Sequence, residues 1–347
     1  MSRLILGTSL AAFAWFAVSA SKPNSEHPSL PKDTLAAILP IDQIPLGLES
    51  TRAVPPDNPI TEAKVLLGRR LFFDPVLSVD RTVSCASCHD PAHHLADRRP
   101  TSLGVRGQKG TRNAPSLFNI AYGTSFFWDG RAASLEEQAL KPIESPQEMG
   151  NTLDEVTKRL VADPSYRTQF EAAFADGVTS KNLARAIASF ERTLLFGASK
   201  PDAFKYDGEV DGMTPIERHG MWLFESRGRC WRCHSGRNFS DEQFHNTGVA
   251  WIKNAEAAPA DLGRFTVTQR DADRGRFKTR SLRGVALTPP YMHDGSIATL
   301  EETVEFYNRG GGKNANLDPI LEPLGLSADE VQSLVAFLKA LSQSASE

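Results

Sequence analysis

The 347-residue chain has little excess charge of either sign. It contains 39 Lys and Arg against 42 Asp and Glu, for a formal net charge of −3. A protein that binds nucleic acid presents a basic face to the phosphate groups. The charge balance therefore gives no reason to expect a nucleic-acid partner.

Long apolar runs are also missing, except at the start of the chain. Residues 1–20 consist of a short basic end with Arg3, an apolar run from Leu4 to Val18, and the small residues before and at Ala20. This is the layout of a secretory signal peptide, with cleavage expected after Ala20. An uncleaved anchor is the alternative, although the run is short for a span of about 20 residues. We therefore expect export and no membrane span after signal cleavage.

Alternating strand patterns are scarce, whereas helix-start patterns recur. Thr152, Thr299 and Ser327 each have a glutamate three residues later, and Thr214-Pro215-Ile216-Glu217 combines a capping box with a proline at the first helical position. The start at Ser327 precedes apolar residues at helical spacing, namely Val331, Leu334, Val335, Leu338 and Leu341. A further helix is expected over 183–196. The pattern predicts a mainly α protein with long loops.

Cysteine is the scarcest reactive residue, and none of the four is spare. The four lie in two C-x-x-C-H motifs, Cys85-Ala86-Ser87-Cys88-His89 and Cys230-Trp231-Arg232-Cys233-His234. Two local disulfides, or a zinc site built from both pairs, are alternatives in an exported protein. Neither explains why a histidine follows each pair at once, whereas covalent attachment of haem c requires that arrangement. The motifs predict two haem c groups, with His89 and His234 as proximal iron ligands.

A weak internal repeat surrounds the two motifs. Gly68-Arg69-Arg70-Leu71-Phe72 precedes the first and Gly220-Met221-Trp222-Leu223-Phe224 precedes the second. The repeat predicts two related, cytochrome c-like haem domains, 59–204 and 205–347, after a signal peptide (1–20) and a proline-containing leader or linker (21–58).

The chain resembles the bacterial di-haem cytochrome c peroxidase and MauG superfamily from about Leu66 to Leu341. The matching blocks are GRRLFFDPVLS, SCASCHDP, GQKGTRNAPSLFN, FFWDGRAASLEEQALKPIESPQEM, CWRCHSG and RSLRGVALTPPYMHDGSIATLEETVEFY. The resemblance implies that hydrogen peroxide reacts at the N-terminal haem and that the C-terminal haem handles electrons.

The resemblance also implies roles for residues of the N-terminal cavity. Glu148 aligns with the carboxylate that moves a proton between the peroxide oxygens, a general acid/base task. Gln138 and Pro142 align with residues that line the same pocket. Trp128 aligns with a tryptophan that is placed to pass electrons between the haems. A second role as a packed aromatic residue is compatible with electron transfer.

A calcium ion between the domains is a further implication of the resemblance. Asn113 aligns with its side-chain ligand, and Thr288 and Pro290 align with its backbone-carbonyl ligands. Oxygen donors of this kind suit calcium.

Two positions depart from the typical peroxidases. Sixteen residues beyond His89, where those enzymes carry a second histidine that caps the peroxidatic iron, this chain has Val105. Valine cannot bind iron, so we expect an open position there; His93 and His94 are weak substitutes because they lie on a loop leaving the proximal face. Fourteen residues beyond His293, where the peroxidases carry a methionine ligand, this chain has Tyr307, as MauG-type enzymes do.

The exchange of methionine for tyrosine has an electronic consequence. A thioether raises the potential of a haem iron, whereas an anionic phenolate oxygen favours more oxidised states. Met292 is the rival ligand, but its equivalent in the peroxidases is an ordinary aromatic or apolar residue. Val105 and Tyr307 together favour the MauG-like branch.

The sequence therefore predicts a periplasmic di-haem oxidoreductase that reacts with hydrogen peroxide and oxidises a protein partner, in the MauG manner at a tryptophan-type side chain. The alternative is a scavenging peroxidase that reduces hydrogen peroxide to water with electrons from a small cytochrome c or cupredoxin. A plain electron carrier without catalysis is a third hypothesis.

Overall fold

Helices provide most of the regular structure in the computed structural model, which describes residues 43–251 and 259–345. The α-helices of these ranges are α1 (Glu62–Phe73), α2 (Leu135–Glu144), α3 (Leu153–Ala162), α4 (Pro164–Ala173), α5 (Ser180–Glu191), α6 (Lys200–Asp202), α7 (Pro215–Glu225), α8 (Phe265–Thr268), α9 (Leu300–Asn308) and α10 (Ala328–Ala340). Two short strands, β1 (Phe244–His245) and β2 (Phe277–Lys278), pair in antiparallel fashion. The mainly α fold class is confirmed.

The helix starts predicted from capping residues are confirmed. Thr214, Thr299 and Ser327 each form a reciprocal capping box with the glutamate three residues later. Thr152 accepts the backbone N–H of Glu155 at 3.2 Å. Side-chain oxygens at these positions satisfy N–H groups that the first helical turn leaves without a partner, which is why the sequence pattern predicts the helix starts well.

The helix predicted over 183–196 is wrong at both ends, because α5 begins three residues earlier and stops at Glu191. Thr179 caps the start. After Glu191 the chain pairs with a distant loop instead: Asn119 donates its backbone N–H to Leu194 O, and Phe196 donates its own to Asn119 Oδ1. These bonds depend on tertiary contacts and have no signature in the local sequence.

The internal repeat corresponds to two closely similar helix crossings. A Cβ atom added at Gly68 of α1 would lie 1.9 Å from Ala186 O of α5, and one at Gly220 of α7 would lie 1.8 Å from Ser333 O of α10. Glycine is required at both positions because the helix backbones touch there. The helix that leads into each C-x-x-C-H loop is thereby fixed against a helix from later in the same half of the chain.

Each crossing belongs to its own hydrophobic cluster. One cluster draws its buried residues from 67–187 and the other from 213–341. Both belong to a single compact unit, residues 37–347. Two separate hydrophobic clusters, one in each half of the chain, are what two haem domains would have. The domain limits at 59, 204 and 205 stay predictions.

The described part of the predicted leader, residues 43–58, is part of this unit. Leu48 is buried with Ala121 and Leu195, and Gly47 O accepts a hydrogen bond from Arg283 Nη2 at 2.7 Å. The predicted signal peptide, 1–20, and the leader residues up to 42 lie outside the described residues. Among the helices that are described, none is long and apolar enough to cross a bilayer.

Replacing Gly68 or Gly220 with alanine tests the crossings. Each new methyl group would overlap a backbone oxygen, so we expect either variant to lose about 1–3 kcal/mol of unfolding free energy, measured by urea unfolding of the haem-loaded protein. Gly110→Ala is the matched control, because its Cβ would meet nothing closer than 3.4 Å. Equal stability of all three variants would contradict the close-crossing interpretation.

Candidate functional site

The first C-x-x-C-H motif lines a cavity of about 450 Å³, a size typical of cofactor sites. Cys85 begins a 3₁₀ turn, Cys85–Ser87, that a capping box between Ser84 and Ser87 fixes. His89 follows with its backbone N–H bonded to Cys85 O at 2.9 Å. The turn brings Cys85, Cys88 and His89 to one wall of the cavity.

The imidazole of His89 is oriented as an iron ligand requires. Its Nδ1 lies 3.1 Å from both Leu95 O and Pro115 O, so Nδ1 carries the hydrogen and Nε2 keeps its lone pair. Burial lowers the pKa of His89, which favours the neutral form that binds metal. The geometry fits a proximal haem ligand.

The second motif lines a cavity of about 280 Å³. Cys230, Cys233 and His234 lie on its wall, and His234 Nδ1 lies 3.0 Å from Phe239 O. Burial lowers the pKa of this histidine as well. The two motifs thus present the same donor set to two cavities, as attachment of one haem to each requires.

The alternatives of disulfides and a zinc site fit the structure less well. All four cysteines are unpaired, and the two pairs line different cavities. Within the described ranges one group of three ligand-type side chains comes together, Cys233, Asp241 and His245, and haem attachment would convert the Cys233 sulfur to a thioether.

The candidate peroxide-handling residues share the wall of the N-terminal cavity. Gln138 and Pro142 are four residues apart on α2, so they face the same side. The helix ends at Glu144, and the next turn places Glu148 on the same cavity, with Met149 N–H bonded to Pro142 O at 3.1 Å. Burial raises the pKa of Glu148, opposed by the charge of Arg131. A carboxyl group in this setting holds a proton more readily than one in water.

Val105 lies beside Glu148 and inside the hydrophobic core. Its side chain is 2% exposed and belongs to the N-terminal cluster. Its backbone N–H donates to Glu148 O at 2.8 Å. Val105, which the resemblance places at the position of the capping histidine, therefore packs in the hydrophobic core. Its backbone N–H holds the turn that carries the Glu148 carboxylate.

Tyr307 lies near the end of α9 and lines the C-terminal cavity together with His234 and Met292. Burial raises the pKa of its phenol. In the described part of the chain its hydroxyl group makes no hydrogen bond, so the oxygen is available to a group in the cavity. Met292 lines the same cavity with a left-handed backbone, φ 75°.

A common wall separates the two cavities. Trp128, Asn113, Pro115 and Arg280 line both of them. Trp128 Nε1 donates to Asn113 O at 2.9 Å, and the Arg280 guanidinium lies 5.9 Å from the centre of the indole ring. The indole is thus fixed between the two candidate haem sites.

The predicted calcium ligands converge on one cavity. Asn113, Thr288 and Pro290 all line the C-terminal cavity, and Asn113 N–H bonds to His293 O at 2.7 Å. Asn113 Nδ2 donates to Arg99 O at 3.1 Å. The amide oxygen of the same side chain is therefore the atom that would bind calcium. The calcium site remains a prediction.

His93 holds the loop after the first motif against the C-terminal half, and His94 packs on aromatic rings of the N-terminal half. His93 Nε2 lies 2.8 Å from Pro289 O, and the His94 ring packs on Phe118 and Phe196. Neither lines the N-terminal cavity. A packing role accounts for both.

Sequence reasoning missed several charged residues of the N-terminal cavity wall, among them Arg280 and Glu191. Arg280 donates to Ser116 O at 3.0 Å and has no local pattern that marks it. Glu191 does carry a signal, because Leu183, Ile187 and Glu191 recur at spacings of four and put an acidic residue on the apolar stripe of α5.

Serine variants of each motif test the two haem sites. We expect Cys85→Ser combined with Cys88→Ser to leave one covalently bound haem per chain, and Cys230→Ser combined with Cys233→Ser to leave the other, because each pair lines its own cavity. Intact mass and the pyridine haemochrome spectrum measure the haem content. Two covalent haems in either double variant would contradict the assignment.

Known proteins resemble this chain over most of its length. The family model described as di-haem cytochrome c peroxidase matches residues 62–211. The methylamine utilization protein MauG of Methylorubrum extorquens is 39% identical over 291 residues, which are 83% of this chain and 80% of that protein. The cytochrome c551 peroxidase of Nitrosomonas europaea is 38% identical over 295 residues, 85% of this chain and 83% of that protein.

A solved structure agrees with these relatives. The crystal structure of a MauG-like protein associated with microbial copper homeostasis superposes with a TM-score of 0.80 at 35% identity, covering 86% of this chain and 95% of that one. Motifs, cavities, relatives and fold agree. The chain belongs to the di-haem cytochrome c peroxidase and MauG family, and it is an oxidoreductase that carries two haem c groups and uses peroxide together with a protein partner or electron donor.

Proposed function

We propose that this enzyme is of the MauG-like branch: it reacts with hydrogen peroxide at the His89 haem and removes electrons from a protein substrate through the His234 haem. The oxidised group is a tryptophan-type side chain of a partner protein. The buried Val105 carries the proposal, because the position that would cap the peroxidatic iron holds a side chain without a ligand atom, packed in the core.

An uncapped iron can meet peroxide in the oxidised resting state. A histidine cap has to be released by reduction first, whereas a valine leaves the sixth position open to peroxide or water. The turn held by the Val105 N–H bond keeps Glu148 at the same cavity. Readiness for peroxide without prior reduction suits an enzyme that takes its electrons from a substrate afterwards.

Tyr307 is the second support for the proposal. We propose that its phenol oxygen would hold, together with His234, the iron of a haem in this cavity. Burial opposes a free phenolate, so ionisation would occur together with binding to the positive iron. A hard anionic ligand stabilises oxidised iron, which suits a haem that stores an oxidising equivalent more than one that passes electrons from a cytochrome.

The residues of the N-terminal cavity would handle the proton chemistry. The haem, when bound, supplies the electrons that cleavage of the O–O bond consumes. Glu148 takes a proton from the inner peroxide oxygen and gives it to the departing one, a transfer that a carboxyl group with a raised pKa performs in either direction. Gln138, on the same wall, is placed to hold the peroxide by a hydrogen bond from its amide.

Trp128 would carry electrons between the two sites. It lines both cavities, and its fixed indole offers a path through an otherwise saturated wall. We also propose that Asn113, Thr288 and Pro290 bind calcium through oxygen atoms and steady this wall. The layout of residues 1–20 supports a periplasmic location for the mature protein.

The scavenging peroxidase is the second candidate, because the cytochrome c551 peroxidase is nearly as similar in sequence as MauG. In that function a small cytochrome c or cupredoxin supplies electrons, and peroxide is reduced to water. The two functions differ in what is oxidised: a recyclable electron carrier in one case, a side chain that is permanently changed in the other.

Turnover measurements separate the two functions. With hydrogen peroxide, we expect slow oxidation of reduced cytochrome c or cupredoxin and a mass increase on a tryptophan-containing peptide of a co-exported protein, found by mass spectrometry. Tyr307→Phe is the matched control, because it removes only the phenol oxygen, and it should abolish the modification. The scavenging function would instead be established by two results together. Turnover with cytochrome c would be fast, about 1–10³ s⁻¹ as is typical of enzymes, and no modified peptide would be found.

A further inference from the structure

Glu191 is a buried acid on the wall of the N-terminal cavity. It is the last residue of α5, and its side chain is 4% exposed. It lines the cavity together with Ile187, one turn earlier, and with Cys85 and Glu148. A carboxyl group is rarely buried without a partner, because removal from water strongly disfavours its charged form.

One oxygen of this carboxyl group, the buried Oε2, has no hydrogen-bond partner in the described part of the chain. The adjacent cation, Arg192, is already engaged, since its guanidinium donates to both carboxylate oxygens of Glu136 at 2.7 and 2.9 Å. The partner of this oxygen must therefore come from what fills the cavity, and not from the protein around it.

The charges around Glu191 favour its protonated form. Burial raises the pKa of Glu191 to about 8; the charge of Arg192 opposes the shift and that of Glu136 adds to it. On the cavity side Glu191 interacts electrostatically with Cys85, which would carry no charge as a haem thioether. The other ionisable groups of the lining are Cys88, His89, Arg112, Asp129, Arg131, Glu148 and Arg280.

We propose that Glu191 is a second acid of the peroxide cavity and that it supplies a proton for the reduction of peroxide; this inference rests on the proposed reaction at the His89 haem. Reduction of one hydrogen peroxide to two waters consumes two electrons and two protons. The electrons come from the haems and finally from the protein substrate. Glu148 only moves a proton from one oxygen to the other, so the two added protons must have another source.

Glu191 would provide the first of these protons. On giving it to the oxygen that remains after the first water has left, directly or through a cavity water, the carboxyl group becomes a carboxylate, and this oxygen is on its way to the second water. The carboxylate is then reprotonated from bulk solvent, which also supplies the second proton. A buried carboxylate is unfavourable, so reprotonation is strongly driven near neutral pH.

Glu191→Gln tests the proposal by the rate at which the peroxide-oxidised protein is reduced again by an electron donor such as ascorbate, followed by double-mixing stopped-flow absorbance from pH 6 to pH 9. The wild-type rate should fall as pH rises through about 8, because the donor is then ionised. The variant should be slower on the order of a hundredfold at pH 7, the lower end of what a positioned acid contributes, and should lose that fall. Glu144→Gln, an exposed change of the same type on α2, is the matched control and should behave as wild type.

A readout independent of turnover is the infrared carbonyl band of a protonated carboxyl group. We expect a band in wild type that disappears as pH rises through about 8 and that is missing in Glu191→Gln. Glu191→Asp keeps an acid in place and should recover part of the rate and the fall with pH, even if the glutamine variant folds poorly. Haem content and thermal unfolding check that each variant is intact.

Several results would overturn the inference. They are a wild-type rate and pH profile in Glu191→Gln, the absence of a pH-dependent carboxyl band in wild type, or an aspartate variant as slow as the glutamine one. Glu148→Gln distinguishes this failure from failure of the proposed function. If Glu148→Gln no longer reacts with peroxide while Glu191→Gln completes the reaction at the wild-type rate, the proposed function is supported and the proton-donor role of Glu191 is contradicted. If wild type itself does not react with peroxide, both are contradicted.

Discussion

Two close helix crossings hold the catalytic architecture in place. Gly68 brings α1 against Ala186 of α5, and Gly220 brings α7 against Ser333 of α10, with no side chain between the backbones. Each crossing fixes the helix from which a C-x-x-C-H loop begins. In the first half, the same α5 carries Glu191 one turn beyond the crossing and into the cavity wall. A shift at Gly68 would therefore move the haem loop and the buried acid relative to each other.

The second constraint is the shared wall between the cavities. Trp128 and Arg280 face both candidate haem sites, so neither site can be changed without consequences for the other. Lys278 N–H bonds to Trp128 O at 2.8 Å, which ties the indole to β2 and to the second half of the chain. This wall makes one functional unit of two cavities that lie in separate hydrophobic clusters.

The motifs, the helix starts and the family could be predicted from the sequence, because each depends on residues close together in the chain. C-x-x-C-H is a contiguous signal, and a capping residue lies three positions from its partner. The end of α5 could not be predicted, since it depends on Asn119 from a distant loop. Arg280 was missed for the same reason: its role as a common wall follows from how the two halves meet.

The departures from the typical peroxidases gain physical meaning from the structure. Val105 was predicted to leave an iron position open, and its burial beside Glu148 shows that the substitution also builds the core that supports the acid. Tyr307 was predicted from its spacing after His293 in the family resemblance, and it lines the cavity of His234. Its rival Met292 lines that cavity too, so the choice between the two ligands depends on spectroscopy.

Electron paramagnetic resonance of the oxidised protein, before and after one equivalent of hydrogen peroxide, tests the central claim most directly. Before peroxide, the account predicts one high-spin ferric haem and one low-spin haem, with no methionine-to-iron band in the far-red absorption. After peroxide, both ferric signals should decrease together, because in the proposed function Trp128 connects the sites and Tyr307 stabilises the oxidised second iron. A methionine band, or a reaction that requires prior reduction and alters only the N-terminal haem, would contradict the account.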